Sequence, residues 1–166
     1  GPALDTGVGL RSDGREQGQA GDEKKHEMRA HARALRTKTG VQPPGDPSEP
    51  ARTAQARAVR DYVRALPADS QRSVVVLGDF NAYWYEAPML LLTGGQQSFR
   101  NLALDEPPEE RISYVFEGNS QSLDHMLVLL GEGQSASMRT LHVNAVQPDS
   151  RKVSDHDPKL MRLVFP

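Results

Sequence analysis

Ser73-Val74-Val75-Val76-Leu77-Gly78-Asp79-Phe80-Asn81 carries the clearest strand signal in the chain. A continuous β-branched run closed by glycine reads as a strand covered on both faces. Asp79 and Asn81 follow at i and i+2, which puts an acid and an amide on one side of the extended backbone at the sheet rim. Two further polar clusters sit at strand ends. Ser122-Leu123-Asp124-His125 opens the run Met126-Leu127-Val128-Leu129-Leu130. Ser154-Asp155-His156-Asp157-Pro158 precedes Leu160-Met161-Arg162-Leu163-Val164-Phe165. Carboxylates, an amide and an imidazole gathered at a sheet rim are what metal-assisted phosphodiester chemistry uses.

The neighbouring segments fill in an α/β pattern. Ser48 and Pro50 mark a helix start, and Ala51, Ala54, Ala58, Val59, Tyr62, Val63 and Leu66 give it a buried face over residues 49–66. Pro67 stops it. A short helix over 86–92 ends at Gly94-Gly95. Strands are expected over 112–116, 122–130, 139–146 and 159–165, the third because Leu141, Val143 and Ala145 alternate with polar residues. A helix followed by strands and long loops suggests α/β layers rather than a βαβ repeat.

Composition narrows the rest. Before position 50 the large apolar residues are few and the first aromatic is Tyr62. Residues 1–40 therefore read as a polar, disordered or unrelated segment, with a short helix conceivable over 22–38. The core is expected from residues 41–166. A net charge of −2 argues against a coat protein for nucleic acid, whose affinity rests on many Lys and Arg contacts. A nuclease stays open, because divalent ions can carry the positive charge. The absence of cysteine removes disulfides, thiolate zinc sites and cysteine nucleophiles. No apolar run approaches the ~20 residues that span a bilayer. Gly1-Pro2 has the look of a protease-cleavage scar, so no native leader is on display.

Each candidate residue has a bland reading beside the chemical one. Asp79 can hold or polarise a water and Asn81 can donate to a phosphate oxygen, or the pair can simply form an Asx turn. Asp155 offers a cation a carboxylate, and His156 is a proton carrier or phosphate contact. Asp124 can orient that imidazole from a neighbouring strand. His125 faces the other way by period two and is expected in packing or at the surface. Asp157 is expected to serve the backbone of the Asp-Pro turn. Trp84 and Tyr85, after Tyr83, are candidates for stacking on a base or sugar, or for anchoring the loop.

Gly78-Asp79-Phe80-Asn81, Ser122-Leu123-Asp124-His125 and Ser154-Asp155-His156-Asp157-Pro158, in this order, resemble the endonuclease/exonuclease/phosphatase superfamily of DNase I-like metal-dependent phosphoesterases. Residues 50–63, 113–118 and 142–145 are similar to its bacterial extracellular-nuclease branch, which implies secretion. The resemblance implies a four-layer sandwich of two packed β-sheets flanked by helices, present here as its C-terminal half. It further implies hydrolysis of DNA or RNA with Mg²⁺ or Mn²⁺, or else Ca²⁺. Asp79 would act on the water, Asn81 and His156 on the phosphate, Asp124 on His156, and Asp155 on the metal.

The family's first half normally supplies an Asn, a metal-binding Glu and a strand carrying Asn-His or Asp-His. No strand-like run before Val74 offers them, and His26 and His31 read as surface residues. Pairing with a separate N-terminal half, or self-association, would complete such a fold. Two other functions fit the same residues: a non-catalytic nucleic-acid- or protein-binding relative, and a phosphoesterase acting on phospholipid or sugar phosphate.

Overall fold

A computed structural model of the chain describes residues 29–32 as backbone, and residues 46–95 and 98–166 with their side chains. Its central sheet holds β1 (Arg29–Ala32), β2 (Val74–Asp79), β6 (Asp124–Leu129) and β3 (Arg100–Asn101), in that spatial order. β2 runs antiparallel to β6, with Val76 opposite Leu127 and Asp79 directly opposite Asp124. The Val74–Leu77 run alternates as expected. Val74 and Val76 join one core, and Val75 and Leu77 the other.

The first core lies between the sheet and two helices. Helix α1 (Glu49–Arg64) contributes Ala56, Val59 and Val63, and α2 (Ala87–Thr93) contributes Met89, Leu91 and Leu92. Phe80, Phe99 and Leu127 complete it. Pro50 sits in the first turn of α1, where its missing N–H costs nothing. Ser48 stands at the N-cap but makes no side-chain cap bond. Its hydroxyl donates to Asp46 and accepts from the buried Arg52 instead. The second core packs the other sheet face against a hairpin of β7 (Ser135–Thr140) and β8 (Lys159–Val164). Ala136, Met138, Met161 and Leu163 point inward there, against Val75, Met126 and Val128. A small hairpin of β4 (Tyr114–Phe116) and β5 (Asn119–Gln121) precedes β6.

The expected α/β fold of packed sheets flanked by helices therefore stands. Among the described residues, helices cover the central sheet but none covers the outer face of β7–β8. Two expectations need correcting. β1 is a strand, paired in parallel with β2 from Arg29 opposite Val74 to Ala32 opposite Leu77. A helix there is excluded, and residues 1–40 do contribute to the sheet; the rest of that segment lies outside the described residues. Its four residues, Arg-Ala-His-Ala, include no β-branched or aromatic residue to announce a strand. The strand expected over 139–146 ends at Thr140. Beyond it the backbone leaves the ladder to bind Asp157, because a buried carboxylate needs donors more than the chain needs a longer strand. The strands expected over 112–116 and 122–130 are shorter, beginning at Tyr114 and Asp124.

Candidate active site

The ends of β2 and β6 deliver Asp79 and Asp124 side by side, and the turn before β8 brings His156 onto them. Asp124 Oδ2 accepts from His156 Nδ1 at 2.7 Å. This bond is the main cause raising the His156 pKa, and the charges of Asp124, Asp79 and Asp155 act in the same direction against desolvation. Nδ1 is thereby engaged, and Nε2 is the nitrogen left to serve a substrate. Burial raises the Asp79 pKa, with help from the Asp124 charge; hydrogen bonds from Asn81 and the charge of His156 offset part of it. A carboxyl held above its usual value is, when ionised, a better proton acceptor than an ordinary carboxylate.

Asn81 has a left-handed backbone, φ 46°, which asparagine tolerates better than most residues. Its N–H donates to Asp79 Oδ1 and its Nδ2 to Asp79 Oδ2, each at 2.7 Å. The Asx turn and the paired acid and amide are thus one structure. Asp79, Asn81, Asp124 and His156 are brought together as the sequence suggested. Asp155 is exposed beside them, on the same turn as His156.

His125 is only 1% exposed and belongs to the core, consistent with the packing role. Its Nε2 donates to Ala82 O, and its Nδ1 accepts from Asn101 Nδ2. Burial pushes its pKa down to about 4, so the ring is neutral at physiological pH. By holding Ala82 it fixes the exit of the Asp79–Asn81 turn. Asp157 also serves the backbone: Oδ1 accepts the N–H groups of Val143, Asn144 and Ala145 at 3.0, 2.7 and 2.9 Å. Burial pushes its pKa up, but these bonds and His142 outweigh it and the net shift is downward. Asn144 returns a bond to His156 O at 2.9 Å, which ties the captured loop to the turn that carries His156.

Trp84 and Tyr85 are 45% and 52% exposed. Tyr85 stacks on Tyr83 with centroids 5.5 Å apart, and Trp84 meets it edge-on. The loop is anchored from below, where Glu86 Oε2 accepts Tyr83 N and lies 3.7 Å from Arg52. Arg52 is wholly buried and also bonds Asp46 at 2.7 Å. Anchoring and exposure thus belong to different residues of one loop. Arg52 and Asn144 fall in the segments 50–63 and 142–145 that carry the family resemblance, but their partners are set by the fold and could not be read from the sequence.

A cleft of about 310 Å³ borders Asp124, His156, Asn144, Ser154 and Lys159. Lys159 Nζ donates to Thr140 Oγ1 at 2.6 Å, and burial lowers its pKa. Among the described residues no three or more His, Cys, Asp or Glu side chains form a group that could hold a metal ion. Asp79 is bonded to Asn81 through both oxygens and Asp124 to His156 through Oδ2, whereas Asp155 is the most exposed carboxylate of the cluster.

The fold matches solved structures at low identity. Truncated Caenorhabditis elegans TDP2 is 15% identical with a TM-score of 0.61, covering 86% of this chain and 57% of that one. D. rerio TDP2 complexed with a single-strand DNA product is 16% identical at TM-score 0.52, covering 70% and 50%. Mannosyl-6-phosphatase from Bacteroides thetaiotaomicron is 19% identical at TM-score 0.53, covering 70% and 46%. The chain spans about half the length of each. No curated protein matches it in sequence. The model of the Endonuclease/Exonuclease/phosphatase family matches residues 6–156, beginning well before the motif-based boundary at residue 41. With most of its length covered by that model, the chain belongs to the Endonuclease/Exonuclease/phosphatase family.

Proposed function

We propose that this chain carries part of a phosphodiesterase site that hydrolyses nucleic acid. The supporting observation is the Asp124–His156 pair standing beside Asp79 and Asn81 on directly opposed strands. Water attacks phosphorus in line. Asp79 takes its proton as the new P–O bond forms and the ester P–O bond breaks. His156, protonated and held by Asp124, donates from Nε2 to a phosphate oxygen or to the leaving oxygen. The Asn81 amide donates toward the negative charge that builds on the phosphate oxygens. Trp84 and Tyr85 offer flat faces to a base or sugar. A nuclease is favoured over a lipid enzyme because the exposed residues beside the site are aromatic rings, and one fold neighbour is complexed with single-strand DNA product.

The family is generally dependent on divalent metal. Mg²⁺ takes one or two protein carboxylates plus substrate oxygens and water, so Asp155 alone does not make a site of ordinary strength. We expect Mg²⁺ or Mn²⁺ (Ca²⁺ as a weaker substitute) to bind the chain only in the millimolar range by calorimetry. Saturable micromolar binding would contradict this. Further donors would come from the N-terminal half of the fold or from a second chain. β8 pairs only with β7 among the described residues, which leaves an edge for either partner. Secretion, as in the bacterial extracellular branch, rests on the motifs at 113–118 and 142–145.

A substrate panel tests the reading. Plasmid, single-stranded DNA, RNA, a phospholipid and a sugar phosphate are offered with millimolar Mn²⁺. Metal-dependent turnover of a nucleic acid above the others is expected. Preference for sugar phosphate or lipid would move the site to that class, and nucleic-acid binding without turnover would make the chain a binding module.

A further inference from the structure

We propose that Tyr114 is a positioning residue for His156, holding the imidazole in the plane that keeps Nδ1 on Asp124. The proposal rests on the catalytic reading of that pair. A hydrogen bond at one nitrogen does not set the ring plane by itself, because the terminal torsion of histidine is broad. A flat partner does. The Tyr114 ring lies against His156 with centroids 4.6 Å apart and planes 26° from parallel. Phe116 also stacks with Tyr114, with centroids 6.3 Å apart and planes 9° from parallel, so the tyrosine ring has a second flat neighbour.

The backbone makes the contact a built one. Tyr114 and His156 form an isolated antiparallel bridge. The preceding residue, Ser113, is fully buried and joins both members of the pair. Its carbonyl accepts Asp157 N at 2.7 Å, one residue past His156. Its hydroxyl accepts the N–H groups of Leu123 and Asp124, each at 3.2 Å. The Ser113-Tyr114 dipeptide therefore fixes where Asp124 begins its strand, where the His156 turn closes and how the ring lies. A cationic ring on the face of tyrosine is also electrostatically favourable. The hydroxyl of Tyr114 plays no part in this arrangement, so phenylalanine should replace it and an aliphatic residue should not.

Long-range ¹H–¹⁵N NMR of the ¹⁵N-labelled chain, at one pH without substrate or metal, tests this. Wild type and Tyr114→Phe are expected to show one His156 ring state, with a low-field Nδ1 proton. Tyr114→Leu and Tyr114→Met are expected to lose that proton resonance, while melting at the same temperature as Tyr114→Phe. If Tyr114→Leu does not fold, Tyr114→Met decides. Persistence of the low-field proton in a folded aliphatic variant would overturn the proposal. The readout needs no turnover, so it stands or falls separately from phosphodiester hydrolysis.

Discussion

The helix-facing side of the central sheet and the outer side of the β7–β8 hairpin use similar residues and meet opposite surroundings. On the first, Val74, Val76 and Leu127 lie under α1 and α2 and are buried. On the second, Leu160 and Val164 alternate with Arg162 in the same strand rhythm but remain 61% and 42% exposed. Period-two patterning places residues on a face; it does not supply the layer that covers the face. The candidate cluster stands where these regions meet, with Asp79 and Asp124 on the covered sheet and His156 on the turn into β8. One region positions the acids rigidly. The other carries the histidine on a hairpin whose outer face and edge are open among the described residues.

Substitutions should expose that difference. Leu127→Ala removes a side chain packed in the helix-facing core and should cost about 2–5 kcal/mol in urea unfolding. A smaller loss would mean the central sheet is less tightly built than its burial indicates. Asp157→Asn should come next, because it weakens the acceptor of three backbone N–H groups on the hairpin side. We expect about 1–3 kcal/mol near neutral pH. The pH dependence has a definite sign. The folded-state pKa of Asp157 is depressed, so its stabilisation is present above the ordinary carboxylate value and is lost as pH falls through the folded value. The asparagine variant should therefore approach wild type in acid. His156 behaves oppositely: with a raised folded-state pKa, its contribution is full below the ordinary imidazole value and fades as pH rises through the folded one. Leu160→Ser should change monomer stability by no more than about 0.5 kcal/mol. If the chain self-associates through the open face, sedimentation should show that variant shifted toward monomer. A loss comparable to that of Leu127→Ala would show that the face is already covered.

Legibility in the sequence followed the same division. β2 and β6 could be read because burial on both faces imposes a local pattern. α1 was legible as a helix, but Ala54, Ala58 and Tyr62 of its expected buried face are exposed, and Arg52 and Ala56 are buried instead. Asp79, Asn81, Asp124 and His156 were visible as polar groups breaking apolar runs at strand ends. The segment over 139–146 misled because Leu141, Val143 and Ala145 alternate like a strand. What shapes that backbone is Asp157, 12 to 14 residues further along. β1 was missed because its four residues carry no β-branched or aromatic signal. Ser113 and Tyr114 stood out only as part of the family-like segment 113–118, since their contacts to Asp124 and His156 are made across the fold.

Plasmid nicking by the chain in millimolar Mn²⁺, compared with EDTA and with His156→Ala, tests the central claim most directly. Slow nicking that EDTA abolishes and His156→Ala lowers by about 10²–10⁴-fold is the expected result. Equal nicking by wild type and variant would contradict the assignment of this cluster as a phosphodiesterase site.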